Sequence, residues 1–226
     1  MHCQNCGGFS ANANYCYTCR IKTGAESISL NSLIANANNG DKYANTALGQ
    51  AYSFGEFGVQ IDKETGLRYF YKGAELGDAN AQFHIGILYF TGKGVAKNER
   101  IAHDYFFRAA CQGYREAQYW CGDSYKEGWG GVRNLKKAAE YFESAARQGH
   151  VVAQYRLGEL YVAFLREETS SEKLRHQYLI GGLDWLCRAF LNGSEEARGY
   201  LIKIGDNHPY LVDYIKASIN AEKAKR

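Results

Sequence analysis

Residues 81–95 read AQFHIGILYFTGKGV, and residues 117–132 read AQYWCGDSYKEGWGGV. Laid one on the other, the two stretches share an opening Ala-Gln, a glycine five residues after the alanine and a tyrosine three residues further on. Each then runs through a glycine-rich loop that ends in Gly-Val. The pattern extends in both directions. Gly49, Gly86, Gly122 and Gly158 follow one another at steps of 37, 36 and 36 residues. Tyr52, Tyr89, Tyr125 and Tyr161 trail them, and Ala44, Ala81, Ala117 and Ala153 lead them. Self-similarity at this period is the signature of stacked supersecondary units.

The second half of each copy repeats as well. Gly66, Ala102 and Ala138 are followed by Phe70, Phe106 and Phe142 and then by Ala74, Ala110 and Ala146, and the copies close on Gly77, Gly113 and Gly149. Ala, Gly and Tyr at the first, sixth and ninth places lie near one face of a helix, where small residues admit a partner helix and the tyrosine fills the gap beside it. Ala102, Phe106, Ala109 and Ala110 fall on one helical stripe. The closing glycines suit the left-handed residue beyond a helix C-terminus. The expected unit is a helix–loop–helix that cannot bury its stripe alone and must stack on its neighbours.

These residues resemble the Sel-one-like repeat, a relative of the tetratricopeptide repeat, whose pattern reads A-Q-Y-x-L-G-x-x-Y-x-x-G-x-G-V and then K-A-x-x-Y-x-x-x-A-A-x-x-G. The second halves IAHDYFFRAACQG (101–113) and KAAEYFESAARQG (137–149) match it as closely as the first. The resemblance covers residues 37 to about 200. It implies an all-α fold, a right-handed superhelical solenoid of helix pairs, and a role in assembling protein complexes.

The repeats are expected at 41–77, 78–113, 114–149 and 150–193. A cap helix over 30–40 precedes them, since Ala37 and Gly40 fit the columns of Ala74 and Gly77, and capping helices over 194–226 follow. Ala197 carries the alanine column onward, and Pro209 marks a fresh helix start, Tyr210 to about Ala221, before a frayed AEKAKR tail. The fourth copy departs: VAFLREETSS replaces the glycine loop, and its closing Gly193 stands 44 residues after Gly149. A longer first helix, a turn near 169–171 and a second helix from about Glu172 to Leu191, capped by Ser170 or Ser171, are expected. A tolerated insertion and a partner-specific loop are both open readings of it.

At the other end, Cys3, Cys6, Cys16 and Cys19 form two Cys-x-x-Cys pairs nine residues apart. Two such turns facing each other complete a tetrahedral, structural zinc site with no open position. The segment 1–20 has few large apolar groups beyond Phe9 and Tyr15, so a metal would supply its folding energy. A redox dithiol and a pair of disulfides are the alternatives, but neither the local pattern nor the compartment suits them. The segment resembles the short bacterial zinc ribbon, with Gly7 after Cys6 and Tyr15 before Cys16, although Arg20 stands where that family has a glycine. One Zn2+ is the expected cofactor, and residues 21–29 form the linker.

Composition narrows the rest. The chain of 226 residues is 46% hydrophobic and 23% charged, as ordinary folded proteins are, and carries a net charge of +3. Four thiolates on zinc would lower that to nearer +1. Arg20, Lys22 and His2 are the only basic groups before residue 25, which argues against a nucleic-acid partner. No stretch reaches the roughly twenty apolar residues that insert into a membrane. The first residues lack the pattern of a secretory signal, so a cytoplasmic protein is expected unless a non-classical route exports it.

In tetratricopeptide-type folds the first helices line the concave surface, so the resemblance makes their non-repeating positions the candidates for binding a protein or peptide. One column holds Ala47, His84, Trp120 and Arg156, and another holds Gln50, Ile87, Asp123 and Glu159. Trp120 reads equally as a binding anchor or as packing between copies. Phe83, Tyr119 and Tyr155 recur at the repeat period and read as core, and Asp123, Glu127 and Glu159 read as a solvated face. No phosphate loop, nucleophile elbow or zinc-protease helix occurs. Cys111, Cys121 and Cys187 sit at alanine- or leucine-like places and are expected to be buried. The reading is a non-catalytic interaction scaffold. A nucleic-acid-associated factor using the ribbon and an exported host-interaction factor are the alternatives.

Overall fold

The structure is a computed structural model that describes residues 29–131, 133–167 and 171–224. Among these the chain is helical, with no strand. It divides into two compact units, 1–132 and 133–226. The first holds α1 (Leu30–Asn38), α2 (Lys42–Phe54), α3 (Lys63–Glu75), α4 (Ala79–Thr91), α5 (Glu99–Cys111) and α6 (Arg115–Glu127). The second holds α7 (Leu135–Arg147), α8 (Val151–Glu167), α9 (Glu172–Leu191), α10 (Glu195–Asn207) and α11 (Val212–Lys223).

Most of these helices start where a short polar side chain satisfies free amides, although α6 and α11 have no side-chain cap. Asp41 accepts from the Tyr43 and Ala44 amides at 2.8 and 3.2 Å, and Asp62, Asp78 and Asn98 do the same for α3, α4 and α5. In the second unit Asn134, Ser171 and Ser194 cap α7, α9 and α10. The closing glycines Gly77, Gly113, Gly149 and Gly193 all take φ between +80° and +94°, the left-handed turn their spacing called for.

Within a repeat the contact is a ring set into a missing side chain. Phe70 and Phe106 are fully buried, and a Cβ added to Gly49 or Gly86 would stand 2.5 Å from their rings. Leu186 takes the place of the phenylalanine in the fourth copy and meets Gly158 in the same way, at 2.6 Å. The tyrosine column then stacks on the second helix: Tyr52 on Tyr69 with centroids 5.7 Å apart, and Tyr89 on Tyr105 at 6.2 Å, both nearly parallel.

Adjacent copies are joined by side-chain amides. Asn45, Gln82 and Gln154, each one residue after the column alanine, donate to the carbonyls of Ala37, Ala74 and Ala146 at 3.3, 3.4 and 3.1 Å. Gln82 and Gln154 also accept from Gln112 and Asn192 at 2.9 and 2.8 Å. A buried amide that finds both partners only in one register favours that register.

The expected second helix of the fourth copy, Glu172 to Leu191 with Ser171 as its cap, is the observed α9. α8 is lengthened to 17 residues where α4 and α6 have 13. The turn expected near 169–171 lies mostly outside the described residues, and the cysteine segment 1–20 and most of the linker lie wholly outside them. The last helix differs from expectation. Pro209 opens a 3-10 turn, Pro209–Leu211, and α11 begins only at Val212 and runs to Lys223, because Leu211 and Ile215 anchor that later register in the core.

Two alanine substitutions separate the kinds of glycine. Gly86→Ala drives a methyl group into Phe106 and should cost about 1–3 kcal/mol. Gly199→Ala, in α10 with nothing within 4 Å, should stabilise by about 0.4–1 kcal/mol. Urea unfolding of the three proteins checks both signs.

Candidate functional site

The non-repeating positions of the first helices have defined surroundings. In the first unit His84 lies flat on Phe70, centroids 4.8 Å apart and planes 18° from parallel. Its Nε2 accepts from the Gln50 amide at 2.9 Å, which places the ring proton on Nδ1. One repeat on, Trp120 lies on Phe106 in the same way, 5.3 Å apart at 22°. At these two places the column stacks a copy on the buried phenylalanine of the copy before it.

Trp120 is half-buried, and its free edge belongs to a wider aromatic group. Phe90 meets it edge-on at 4.9 Å, and Trp129, from the glycine loop, lies 4.6 Å from Phe90 and 6.1 Å from Trp120. Ile87 and Asp123, the second column, are half-buried on the same two helices. Phe54, at the end of α2 and 6.5 Å from His84, is 63% exposed. Spacing alone did not single out Phe54, Phe90 or Trp129. The one available signal was three large aromatics at places where the other two glycine-loop copies carry serine, threonine, lysine or glutamate.

In the second unit Arg156 and Glu159 face each other one turn apart, Nη1 to Oε2 at 3.0 Å, and the Tyr155 hydroxyl donates to the other carboxylate oxygen at 3.1 Å. The Arg156 guanidinium also lies over the Tyr155 ring. Phe83, Tyr119 and Tyr155, read as core from their spacing, are half-buried. Phe83 packs on Phe106 and Tyr114, and Tyr155 on Tyr200. Glu127 is exposed and pairs with Lys126 at 2.8 Å.

The perturbed groups do not converge on one reaction centre. Burial pushes the Cys121 thiol far up and the Cys187 thiol up to about 12, so both stay protonated and unreactive near neutral pH. Cys111 corrects the expectation of burial: as the last residue of α5 it faces solvent. Asp78 is raised by burial, against the opposing effect of the Thr46 hydroxyl and the Asn80 amide, and it serves as a helix cap. Among the described residues no cluster of three or more histidine, cysteine or carboxylate side chains suits a metal. None of their helices is long and apolar enough to cross a membrane.

Paired helices in register, a buried Ala/Gly/Phe framework and half-buried variable columns define a helix-pair repeat protein. The Sel1 repeat model matches residues 42–78, 79–114, 115–150 and 151–163, over half of the sequence, and the chain belongs to the Sel1 repeat family. It is similar to a Sel1 repeat protein from Oxalobacter formigenes, with 35% identity, a TM-score of 0.55, and 57% of this chain and 97% of that one covered. It is also similar to c5321, a protective antigen present in uropathogenic Escherichia coli strains that displays an SLR fold. There the identity is 25% and the TM-score 0.71, over 79% of this chain and 36% of that one. Comparison with curated proteins gives no match. Sel1 repeat proteins are generally protein-interaction scaffolds, and the fold is typically non-catalytic.

Desolvation lowers His84 from its ordinary 6.5 to about 4, so the folded chain resists a proton that the unfolded chain accepts between those values. The stability this neutral ring contributes is complete above pH 6.5 and declines as pH falls toward 4. The limiting slope is about 1.4 kcal/mol per pH unit, less whatever solvent screens at a half-buried ring. Melting curves should therefore show wild type losing more stability than His84→Gln between about pH 7 and pH 5.

Proposed function

We propose that the protein is a non-catalytic adaptor that holds a partner protein or peptide on the face built by its first helices, and that it acts in the cytoplasm. One observation carries the reading. The alanine and glycine columns of the first helices and the phenylalanine column of the second are buried, whereas His84, Ile87, Trp120 and Asp123 in the first unit, and Arg156 and Glu159 in the second, keep part of their surface accessible. A partner that covers Trp120 and the adjoining Phe90 and Trp129 finds a rigid aromatic platform that is already ordered, and little side-chain entropy is lost on binding. Ile87 extends its apolar surface and Asp123 sets a charge beside it. The free thiols among the described cysteines fit a reducing compartment.

The proposal includes a second module. Cys3, Cys6, Cys16 and Cys19 are a donor set suited to one structural zinc ion, because four thiolates leave no position for water or substrate. Such a ribbon would add a second contact to a partner held by the repeats.

Ile87→Glu and Asp123→Lys alter the proposed face without emptying the core, so both variants should keep wild-type melting temperatures. A partner cross-linked to the wild type in native lysate should be lost from both and retained after nuclease treatment. Retention by both variants sinks the reading, and so does release by nuclease. Metal analysis of purified protein should give one zinc per chain. Cys3→Ser/Cys19→Ser should abolish it while leaving the helical signal of the repeats in place.

A further inference from the structure

The expansion of the fourth repeat builds something the other copies lack. α8 runs four residues past the length of α4 and α6, and α9 begins seven residues before the stretch that matches the 13-residue second helices α3, α5 and α7. Between these extensions and α10 lies a cleft of about 540 Å³. That size falls in the roughly 300–1,000 Å³ range of clefts that hold ligands. Its floor is apolar, with Val162, Leu179, Ile204 and Leu211, and its rim is cationic, with Arg166, Arg175 and Lys203. Arg166 and Arg175 both come from the added residues.

Among the described residues no carboxylate compensates the charge at this rim. Four other arginines of the unit have acid partners: Arg147 pairs with Glu143, Arg156 with Glu159, Arg188 with Glu222 and Arg198 with Glu195. Arg166, Arg175 and Lys203 pair with no carboxylate among the described residues, and no described carboxylate lines the cleft. Two acids near them in sequence line other clefts. Glu167, beside Arg166, lines a separate cleft with Arg133 and Lys136, and Asp206 lines an apolar cleft between α10 and α11. Tyr200 and Lys203 stand 44 residues after Arg156 and Glu159, so the cleft continues the two variable columns onto α10.

We infer that this cleft is a binding site for an acidic peptide segment of a protein partner, whose carboxylates pair with Arg166, Arg175 and Lys203 around an apolar side chain seated against Leu179 and Ile204. Guanidinium groups hold carboxylates through paired hydrogen bonds, and three cations converging from three helices select a chain with spaced acids over one point charge. Because these cations pair with no carboxylate among the described residues, a bound carboxylate adds ion pairs without breaking any of those described. The fourth-repeat insertion then acts as a recognition element. The inference rests on the first-helix reading only in that α10 continues its columns.

The test is selection of random peptides displayed on phage against the immobilised full-length protein, followed by affinity measurement on the enriched peptides. Enriched sequences should carry two or more acids flanking an apolar residue. Their binding should weaken roughly tenfold or more at about 0.5 M salt and in Arg175→Glu/Lys203→Glu. Both substituted residues are exposed, and circular dichroism checks that the variant stays folded. Arg175→Lys, which keeps the charge but loses the paired hydrogen bonds, should weaken binding less than Arg175→Glu. Neutral or basic consensus peptides, no enrichment, or affinity unchanged by the double charge reversal overturns the inference. A clear preference for single-stranded RNA over the peptides does the same. Loss with Ile87→Glu but not with Arg175→Glu/Lys203→Glu would leave the first-helix reading standing and remove this one.

Discussion

A phenylalanine ring lying in the space where a side chain is missing holds each repeat of the first unit together. Gly49 and Gly86 leave bare backbone on the first helix, and Phe70 and Phe106 press into it from the second. The ring is then out of water, a transfer that contributes about 1.5–3 kcal/mol for each buried side chain. The close approach also sets everything next to it. Tyr52 and Tyr89 meet Tyr69 and Tyr105 face to face because the helices are already at that distance. His84 and Trp120 lie on the outer faces of the same two phenylalanine rings. One contact thus faces inward as core and outward as the base on which the candidate binding surface stands.

The fourth copy shows how far that arrangement stretches. Leu186 replaces the ring, and Gly158 faces Gly182 so closely that added Cβ atoms would meet backbone carbonyl oxygens at 3.0 and 3.3 Å. Backbone contact substitutes for aromatic packing. The helices remain paired over a greater length, which lets α8 and α9 extend beyond the framework. The side chains on those extensions are released from core duty, and there the chain carries its cations.

Spacing reveals what depends on local sequence. The alanine, glycine, phenylalanine and tyrosine columns, the closing glycines and the Ser171 cap each follow from a residue's own neighbours along the chain. The span of α9 does too. Features that need distant segments are not legible in this way. Cys111 and Cys121 look alike as helical cysteines, yet one ends its helix in solvent and the other is buried. Trp129 sits in a loop, where no periodicity points to Phe90 as its partner. The columns themselves were visible, but not that His84 and Trp120 each lie on the buried phenylalanine of the preceding copy. The cleft cations come from three helices with no common spacing, and only the fold gathers them.

Charge pairing sorts the candidate surface into parts that recognise strongly and parts that do not. Arg156 pairs with Glu159, which also accepts from Tyr155, so a partner that used either would first have to displace an existing bond, and the exchange returns little. The aromatic group around Trp120 has no such bond to lose: covering it removes apolar surface from water and leaves the internal stacking intact. Arg166, Arg175 and Lys203 pair with no carboxylate among the described residues, so each gains a partner without giving up a described one. Binding energy should therefore concentrate on the aromatic platform of the first unit and the cationic cleft of the second. The paired column between them in sequence sets shape more than affinity. A repeat framework neutral in its own contacts leaves specificity to the few places where the period is broken, and in this chain those are Trp120, Trp129 and the lengthened fourth copy.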